Sequence, residues 1–324
     1  MTATVEAIQT NPTLAFVMER GDVSSYGQND LPELWRTHGE KIDKALWSNG
    51  AVLFRGFGVT SQEEFEHLMG CFKGRLLEYI DGNSPRTKVG AGVYTSTEYP
   101  AEYFISLHNE LSYSANWPKR LFFCCVQEPS SGGETPLVDS RRLLRELPED
   151  LVQAFRNLKV RYIRNLHAGK GFGPSWQKTF QTEDKTEAEE LARGTGVEVE
   201  WLSGGILRLS ATRAATTTHP MTGEEVWFNQ ADQFHPSTHP KAIYQTMVAL
   251  YKGREDLMPQ NATFGDGSSI PLEHLNTIRN TTRRLLTAFS WRLGDVVMVD
   301  NVLAAHGRMP FTGSRRILVS MTAH

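Results

Sequence analysis

Cysteine is scarce in this 324-residue chain, which carries only Cys71, Cys124 and Cys125. An odd count with no CxxC pair supports neither a disulfide framework nor a cysteine zinc site, and the expected location is a reducing cytoplasm. Long apolar runs are missing too. The longest, Leu121–Val126, has six residues, whereas roughly 20 are needed to span a bilayer; no membrane partner is expected. Met1–Phe16 contains Glu6 and lacks both a basic stretch and a continuous apolar stretch, so it does not read as a secretory signal. Basic charge is not in excess: 34 Lys and Arg face 37 Asp and Glu, a net charge of −3. Non-specific nucleic-acid binding, driven by counterion release, has little to act through. Also lacking are a fixed-period repeat, a GxGxxG loop and a Walker sequence, which disfavours solenoids, dinucleotide sites and P-loops. What is there is ordinary globular material, 40% hydrophobic and 22% charged, suited to a small neutral or zwitterionic ligand.

The pattern along the chain changes once. Leu34, Ile42, Ala45 and Leu46 recur on a helical face that ends at Asn49-Gly50, and Ala51–Phe54 then reads as a short buried strand. Ser61-Gln-Glu-Glu64 is a capping box opening a second helix with Phe65, Leu68, Met69 and Phe72 on one side. From Lys88 onward the signals are short strands between Gly, Pro and Asn clusters: Tyr103–Leu107, Lys119–Gln127, Leu158–Ile163, Val197–Leu202, Ile206–Leu209, Val226–Asn229, Asp295–Val299 and Arg316–Met321. Helical patterns interrupt them at Arg141–Arg156, Glu183–Arg193, His239–Arg254 and Leu272–Ala288. The fold class expected is α+β with a mainly β core: a distorted antiparallel barrel or jelly roll with helices outside and between strands. One domain over 1–324 is expected, a helix-and-strand part to about residue 87 followed by the β core. Gly169–Ser175 reads either as a loop over a site or as plain surface.

Two His-x-acid pairs occur. His38-Gly-Glu40 lies in a helical stretch, where residues two apart diverge by about 200° and cannot hold one ion. His108-Asn-Glu110 ends an extended run, and the strand period of 2 sends both side chains to one face, with Asn109 on the other as a structural residue. A third ligand has to come from elsewhere. His306 follows the apolar strand ending at Asp300-Asn301. Two His and one carboxylate form the facial triad of non-haem Fe(II) oxygenases, which leaves positions for a 2-oxo acid and dioxygen. Ten residues on, Arg315-Arg316 opens another apolar strand, and a guanidinium there could pair with the distal carboxylate of a co-substrate.

With these residues the sequence resembles the taurine dioxygenase-like Fe(II)/2-oxoglutarate oxygenases. The likeness rests on His108-Asn-Glu110, Gly132-Gly-Glu-Thr135 before Pro136-Leu-Val-Asp139-Ser140, Gly294-Asp295, Asp300-Asn301, His306 and Arg315-Arg316. It implies a double-stranded β-helix, His108, Glu110 and His306 as iron ligands and catalytic residues, and Thr135 and Arg316 as contacts to 2-oxoglutarate, with Fe(II), 2-oxoglutarate and O2 as cofactor and co-substrates. Two departures are informative. Glu110 replaces the commoner Asp, as in the amino-acid hydroxylase branch, which also resembles Leu111–Pro118 and Leu121–Cys125. Ser320 stands four residues after Arg316, where the taurine enzyme keeps a second arginine, so a sulfonate substrate is not expected. Halogenating relatives replace the carboxylate ligand with a small residue, so Glu110 favours oxygen insertion or a related hydrogen abstraction. The implied reaction is hydroxylation of an unactivated C–H in an amino acid or amino-acid-derived substrate, free or carrier-bound, in secondary metabolism, with desaturation or cyclisation as alternatives.

Tyr94, Arg208, Arg213 and Asn229 are candidate substrate contacts, and Trp227-Phe228 reads as core. A competing metal site, Asp232, His235 and His239, has helical zinc spacing, but Pro236 and Pro240 would break the helix it requires. The remaining alternative is a jelly roll that binds a ligand or carrier protein without turnover.

Overall fold

The computed structural model describes residues 16–19, 31–72, 74–77, 86–97 and 99–323. Its largest element is a seven-stranded sheet in the order Phe16–Glu19, Ala51–Arg55, Val296–Asp300, Arg120–Gln127, Arg316–Thr322, Val93–Thr95, Lys88–Gly90. The first pair is parallel and the others antiparallel. Against its inner face lies a three-stranded sheet in which Ala304–Arg308 runs between Ile105–His108 and Leu137–Asp139. Ala51–Arg55 thus joins the N-terminal part of the chain to the same sheet as the C-terminal strands.

Because side chains alternate along a strand, one run of residues builds two cores. Leu121, Phe123 and Cys125 point inward with Val297, Val299, Ile317, Val319 and Met321, against Leu137, Ala304, Phe289 and Trp291. Phe122, Cys124, Val296, Met298 and Leu318 point outward and are covered by Leu34, Ile42 and Leu46 of the helix Leu31–Asn49 and by Phe65, Leu68 and Met69 of the helix Gln62–Cys71. Burial on both faces explains why Leu121–Val126 is continuously apolar rather than alternating. It also sends the adjacent Cys124 and Cys125 to opposite faces, and all three cysteines are free thiols.

The capping box forms as expected: the Ser61 side chain accepts from the Glu64 amide, and Glu64 accepts from the Ser61 amide at 3.0 Å. The helix expected over Arg141–Arg156 is instead two, Ser140–Glu146 and Glu149–Leu158. Pro148, which cannot donate in a helix interior, separates them. A four-stranded sheet, Glu198–Trp201, Leu207–Arg213, Val160–Leu166 and Gln260–Phe264, extends from this helical part. Among the described residues no helix is long and apolar enough to cross a membrane.

Candidate metal centre

Strand pairing creates the site. In the small sheet His306 stands directly opposite His108, so their side chains share a face and their rings lie with centroids 4.6 Å apart. Glu110 follows in a tight turn in which the Ser112 amide donates to the Asn109 carbonyl, with Leu111 in the left-handed region at φ 55°. Ligand atoms of His108, Glu110 and His306 all lie within 4.8 Å of one another, and all three residues are buried. The Asp232, His235 and His239 alternative does not assemble: the triad is the one such group among the described residues, and the His235 ring faces Ser237 and Glu255 instead.

The turn is fixed through its backbone. Asn301, fully buried, accepts from the Glu110 amide at 2.6 Å and donates to the carbonyls of Glu110 and Pro118 at 2.9 and 2.8 Å. Asn109, just beyond the end of the strand, is a structural residue: it donates to the Asn301 carbonyl and to Ser140. Gly307 lets the two histidine strands approach, since a Cβ there would sit 2.4 Å from the Ile105 carbonyl oxygen.

Protonation suits a cation. His108 donates from Nδ1 to the Ser106 carbonyl at 2.8 Å, which leaves Nε2 as the lone-pair nitrogen. Burial, reinforced by the neighbouring His306, pushes its pKa down to about 4. Burial also opposes ionisation of Glu110, but the Arg86 guanidinium and the two imidazoles together hold its carboxyl well below the usual range. Two imidazoles, at least one held neutral, and an ionised carboxylate match the donor set a divalent transition metal requires.

A cavity opens beside the triad, lined by His108 and His306 together with Phe123, Thr135, Gly307 and Arg315. Thr135 is buried and accepts from the Trp291 indole at 3.2 Å. Arg315 is held by the Gly133 carbonyl and the Ser96 hydroxyl at 2.9 and 3.3 Å, and burial lowers its pKa to about 10. Arg316 does not reach the cavity. One residue along the strand, it lies on the opposite face, exposed and donating to Gln62 at 2.9 Å. The register also moves the comparison made at Ser320: four residues after Arg315 is Val319, in the inner apolar core, so that face carries no second arginine either.

The substrate candidates are engaged elsewhere. Tyr94 packs in the inner core. Arg208 binds Asn165 and the Asp256 carbonyl, while Arg213 binds the carbonyls of Tyr113 and Gly196. Asn229 donates to the Ala215 carbonyl and accepts from the Ala231 amide. Trp227 and Phe228 are core, as expected. No residue of 169–175 lines the cavity. Sequence reasoning missed Arg86, which donates to Glu110, and Arg308, which grips the carbonyls of Tyr99, Pro100 and Tyr103. Neither lies in a motif that announces such a role.

A jelly roll that gathers two histidines and a carboxylate, all buried, beside a cavity is the architecture of the mononuclear non-haem iron oxygenases. Residues 19–322 match the family described as "Taurine catabolism dioxygenase TauD, TfdA family", and the chain belongs to it. It is 39% identical over 280 residues to a "Dapdiamide synthesis protein DdaC" of Enterobacter agglomerans, covering 86% of this chain and 84% of the relative. It is 33% identical over 296 residues to a "Clavaminate synthase-like protein" of Arabidopsis thaliana, covering 88% and 85%. Among solved structures, PvcB of Pseudomonas aeruginosa superposes with a TM-score of 0.56 at 15% identity, covering 99% of this chain and 91% of that one, a likeness of fold. The protein is accordingly an Fe(II)- and 2-oxoglutarate-dependent dioxygenase using O2, which answers the non-catalytic alternative.

Proposed function

We propose that this dioxygenase hydroxylates an unactivated C–H bond of an amino acid or amino-acid-derived small molecule in secondary metabolism. His108, Glu110 and His306 would hold the iron, and Arg315 with Thr135 would receive the distal carboxylate of 2-oxoglutarate. The observation that carries the reading is the convergence of three buried ligand groups, two of which, His108 and His306, line a cavity that also presents the Arg315 side chain. The names of the relatives in dapdiamide synthesis and of clavaminate synthase type support the substrate class.

When bound, Fe(II) supplies the redox chemistry by which O2, 2-oxoglutarate and R–H give R–OH, succinate and CO2. The chain's own contribution is position and exclusion of water. Asn301 holds the Glu110 backbone from both sides, and the Ser106 carbonyl fixes the His108 ring with Nε2 on the ligand side. Arg315 offers a planar donor whose direction is set by Gly133 and Ser96, suited to a carboxylate. Trp291 holds Thr135, and Phe123 packs its ring 5.2 Å from that of His306, closing the inner wall with apolar surface.

The test is to incubate the metal-free protein with Fe(II), 2-oxoglutarate, O2 and a panel of amino acids, following succinate and product masses together. The expected result is stoichiometric succinate and a product heavier by one oxygen, abolished in His306→Ala with the far-UV spectrum unchanged. Turnover at the parent rate in His306→Ala would contradict the site, and a product lighter by two hydrogens would assign desaturation or cyclisation instead of hydroxylation.

A further inference from the structure

Gly132-Gly133 belongs to the motifs that carry the family likeness, yet neither glycine lines the cavity or holds the metal. Their neighbours explain them. Beyond His306 the chain runs antiparallel to residues 132–137: the Gly307 amide donates to the Pro136 carbonyl, Met309 to Glu134, and Gly133 in return to Pro310, at 3.0–3.1 Å. The ladder ends where Phe311 pairs with Gly132. A Cβ on Gly132 would lie 2.2 Å from the Pro310 carbonyl oxygen, and one on Gly133 3.0 Å from Arg315 Cδ. That close approach sets the Gly133 carbonyl 2.9 Å from Arg315 Nε. It also brings the half-buried Phe311 ring against Arg315, whose guanidinium carbon lies 5.6 Å from the ring centroid. The same ring takes a second guanidinium, that of Arg308, at 5.1 Å.

Two guanidiniums on one ring repel each other, and burial, followed by the charge of Arg308, already bears against the Arg315 cation. A long, rotamer-rich side chain in that position needs a holder. The negative face of an aromatic ring attracts a guanidinium lying over it, while the N–H groups at the guanidinium edge stay available to a carboxylate. We propose that Phe311 is a positioning residue of the co-substrate site: seated by Gly132, its ring fixes the plane of Arg315, so that the distal carboxylate of 2-oxoglutarate meets donors already aimed at it. The inference rests on Arg315 as the co-substrate anchor. Phe311 does not itself line the cavity, so it acts through Arg315. Its contribution to affinity is preorganisation, because side-chain freedom lost on folding is not lost again on binding. The stretch His306–Phe311 thereby serves both ends of the co-substrate site, a metal ligand at its start and the arginine holder at its end.

Calorimetric titration of the Mn(II)-loaded full chain tests this without turnover, using 2-oxoglutarate and 2-oxobutyrate, which keeps the chelating end and lacks the distal carboxylate. Phe311→Leu is expected to weaken 2-oxoglutarate binding about three- to thirtyfold, the range of a partly desolvated cation–π contact. Its affinity for 2-oxobutyrate should stay within about twofold of the parent, as for a site that does not couple. Phe311→Tyr, which keeps the ring, should bind both acids like the parent. In an Arg315→Ala background, Phe311→Leu should cost 2-oxoglutarate nothing further, because two residues acting through one contact are not additive. Unchanged 2-oxoglutarate affinity in Phe311→Leu, an equal loss for both acids, a loss of the same size in Phe311→Tyr, or a full loss persisting without Arg315 would overturn the proposal. Failure of the anchor itself is distinguishable: if Arg315→Ala alone binds 2-oxoglutarate like the parent, the Arg315 reading falls and the proposal with it.

Discussion

Glu110 is fixed by its main chain more than by its side chain, and Asn301 is the residue that does it. Asn301→Ala leaves the Glu110 amide and the carbonyls of Glu110 and Pro118 without their buried partner. At about 1–3 kcal/mol for each unsatisfied group, a loss of at least about 3 kcal/mol is expected in urea unfolding of the metal-free protein, with weakened Mn(II) binding. Stability within about 0.5 kcal/mol of the parent, the range of an ordinary surface change, would show that the clamp is unnecessary. The arginine pair gives a sharper contrast. Arg315→Ala should cost about 1.5–3 kcal/mol of 2-oxoglutarate binding, roughly ten- to a hundredfold in apparent affinity, whereas Arg316→Ala, exposed on the far face, should leave that affinity near the parent value. The reverse ranking would restore the sequence expectation. The sequence showed that an arginine opens this strand but not which of two adjacent ones faces inward. That depends on a register shift between Arg316 and Ile317 where the strand pairs with Arg120–Gln127, and a one-residue change in register turns every side chain to the other face.

At the scale of elements, the site is a strand pair. The His-x-acid spacing beside Ile105–His108 and the apolar run before Asn301 made His108, Glu110 and His306 legible as candidates, although Glu110 reaches the site from the turn after the strand and not by the strand parity expected for it. The partner strand was not legible: the pairing of His306 with His108 joins segments almost 200 residues apart, and no local pattern encodes such a contact. Gly307 carries the close approach. Gly307→Ala would place a methyl 2.4 Å from the Ile105 carbonyl oxygen and 3.4 Å from the Leu107 side chain. Overpacking of this kind costs typically about 1–3 kcal/mol, and here it also separates the two imidazoles. The expected outcome is a lower thermal midpoint together with weaker Mn(II) binding; an unchanged midpoint and affinity would mean that the strands can part without consequence. The substrate candidates are absent from the cavity lining for a related reason. Arg208, Arg213 and Asn229 are polar residues in and beside strands, but the bonds they donate go to backbone carbonyls and to the Asn165 side chain, whereas Arg86 and Arg308 reach the cavity from segments with no distinctive spacing.

For the whole molecule, the jelly roll was readable from many short strands with helical excursions, and the doubly buried run Leu121–Val126 identified a central strand. The break at Pro148 went against the single helical stretch expected over Arg141–Arg156, although the proline itself carries the signal. Burial of histidine sets the acid sensitivity of the metal-free protein. His108 is held down to about 4, and burial likewise depresses His235. An unfolded chain takes up protons at its histidines near the ordinary value of 6.5 while these two stay neutral in the fold, so the unfolded state binds more protons in that window and stability falls as pH drops. The urea midpoint should decline from about pH 6.5 toward pH 4, where the His108 contribution levels off; a flat midpoint across that range would contradict the burial assignment. The most direct measurement of the central claim is a crystal structure of the protein grown anaerobically with Fe(II) and N-oxalylglycine, with anomalous data collected on both sides of the iron edge. The account predicts one iron peak bonded to His108, Glu110 and His306, with the distal carboxylate of N-oxalylglycine on Arg315. An iron peak held by other residues, or none at the triad in iron-replete crystals, would contradict it.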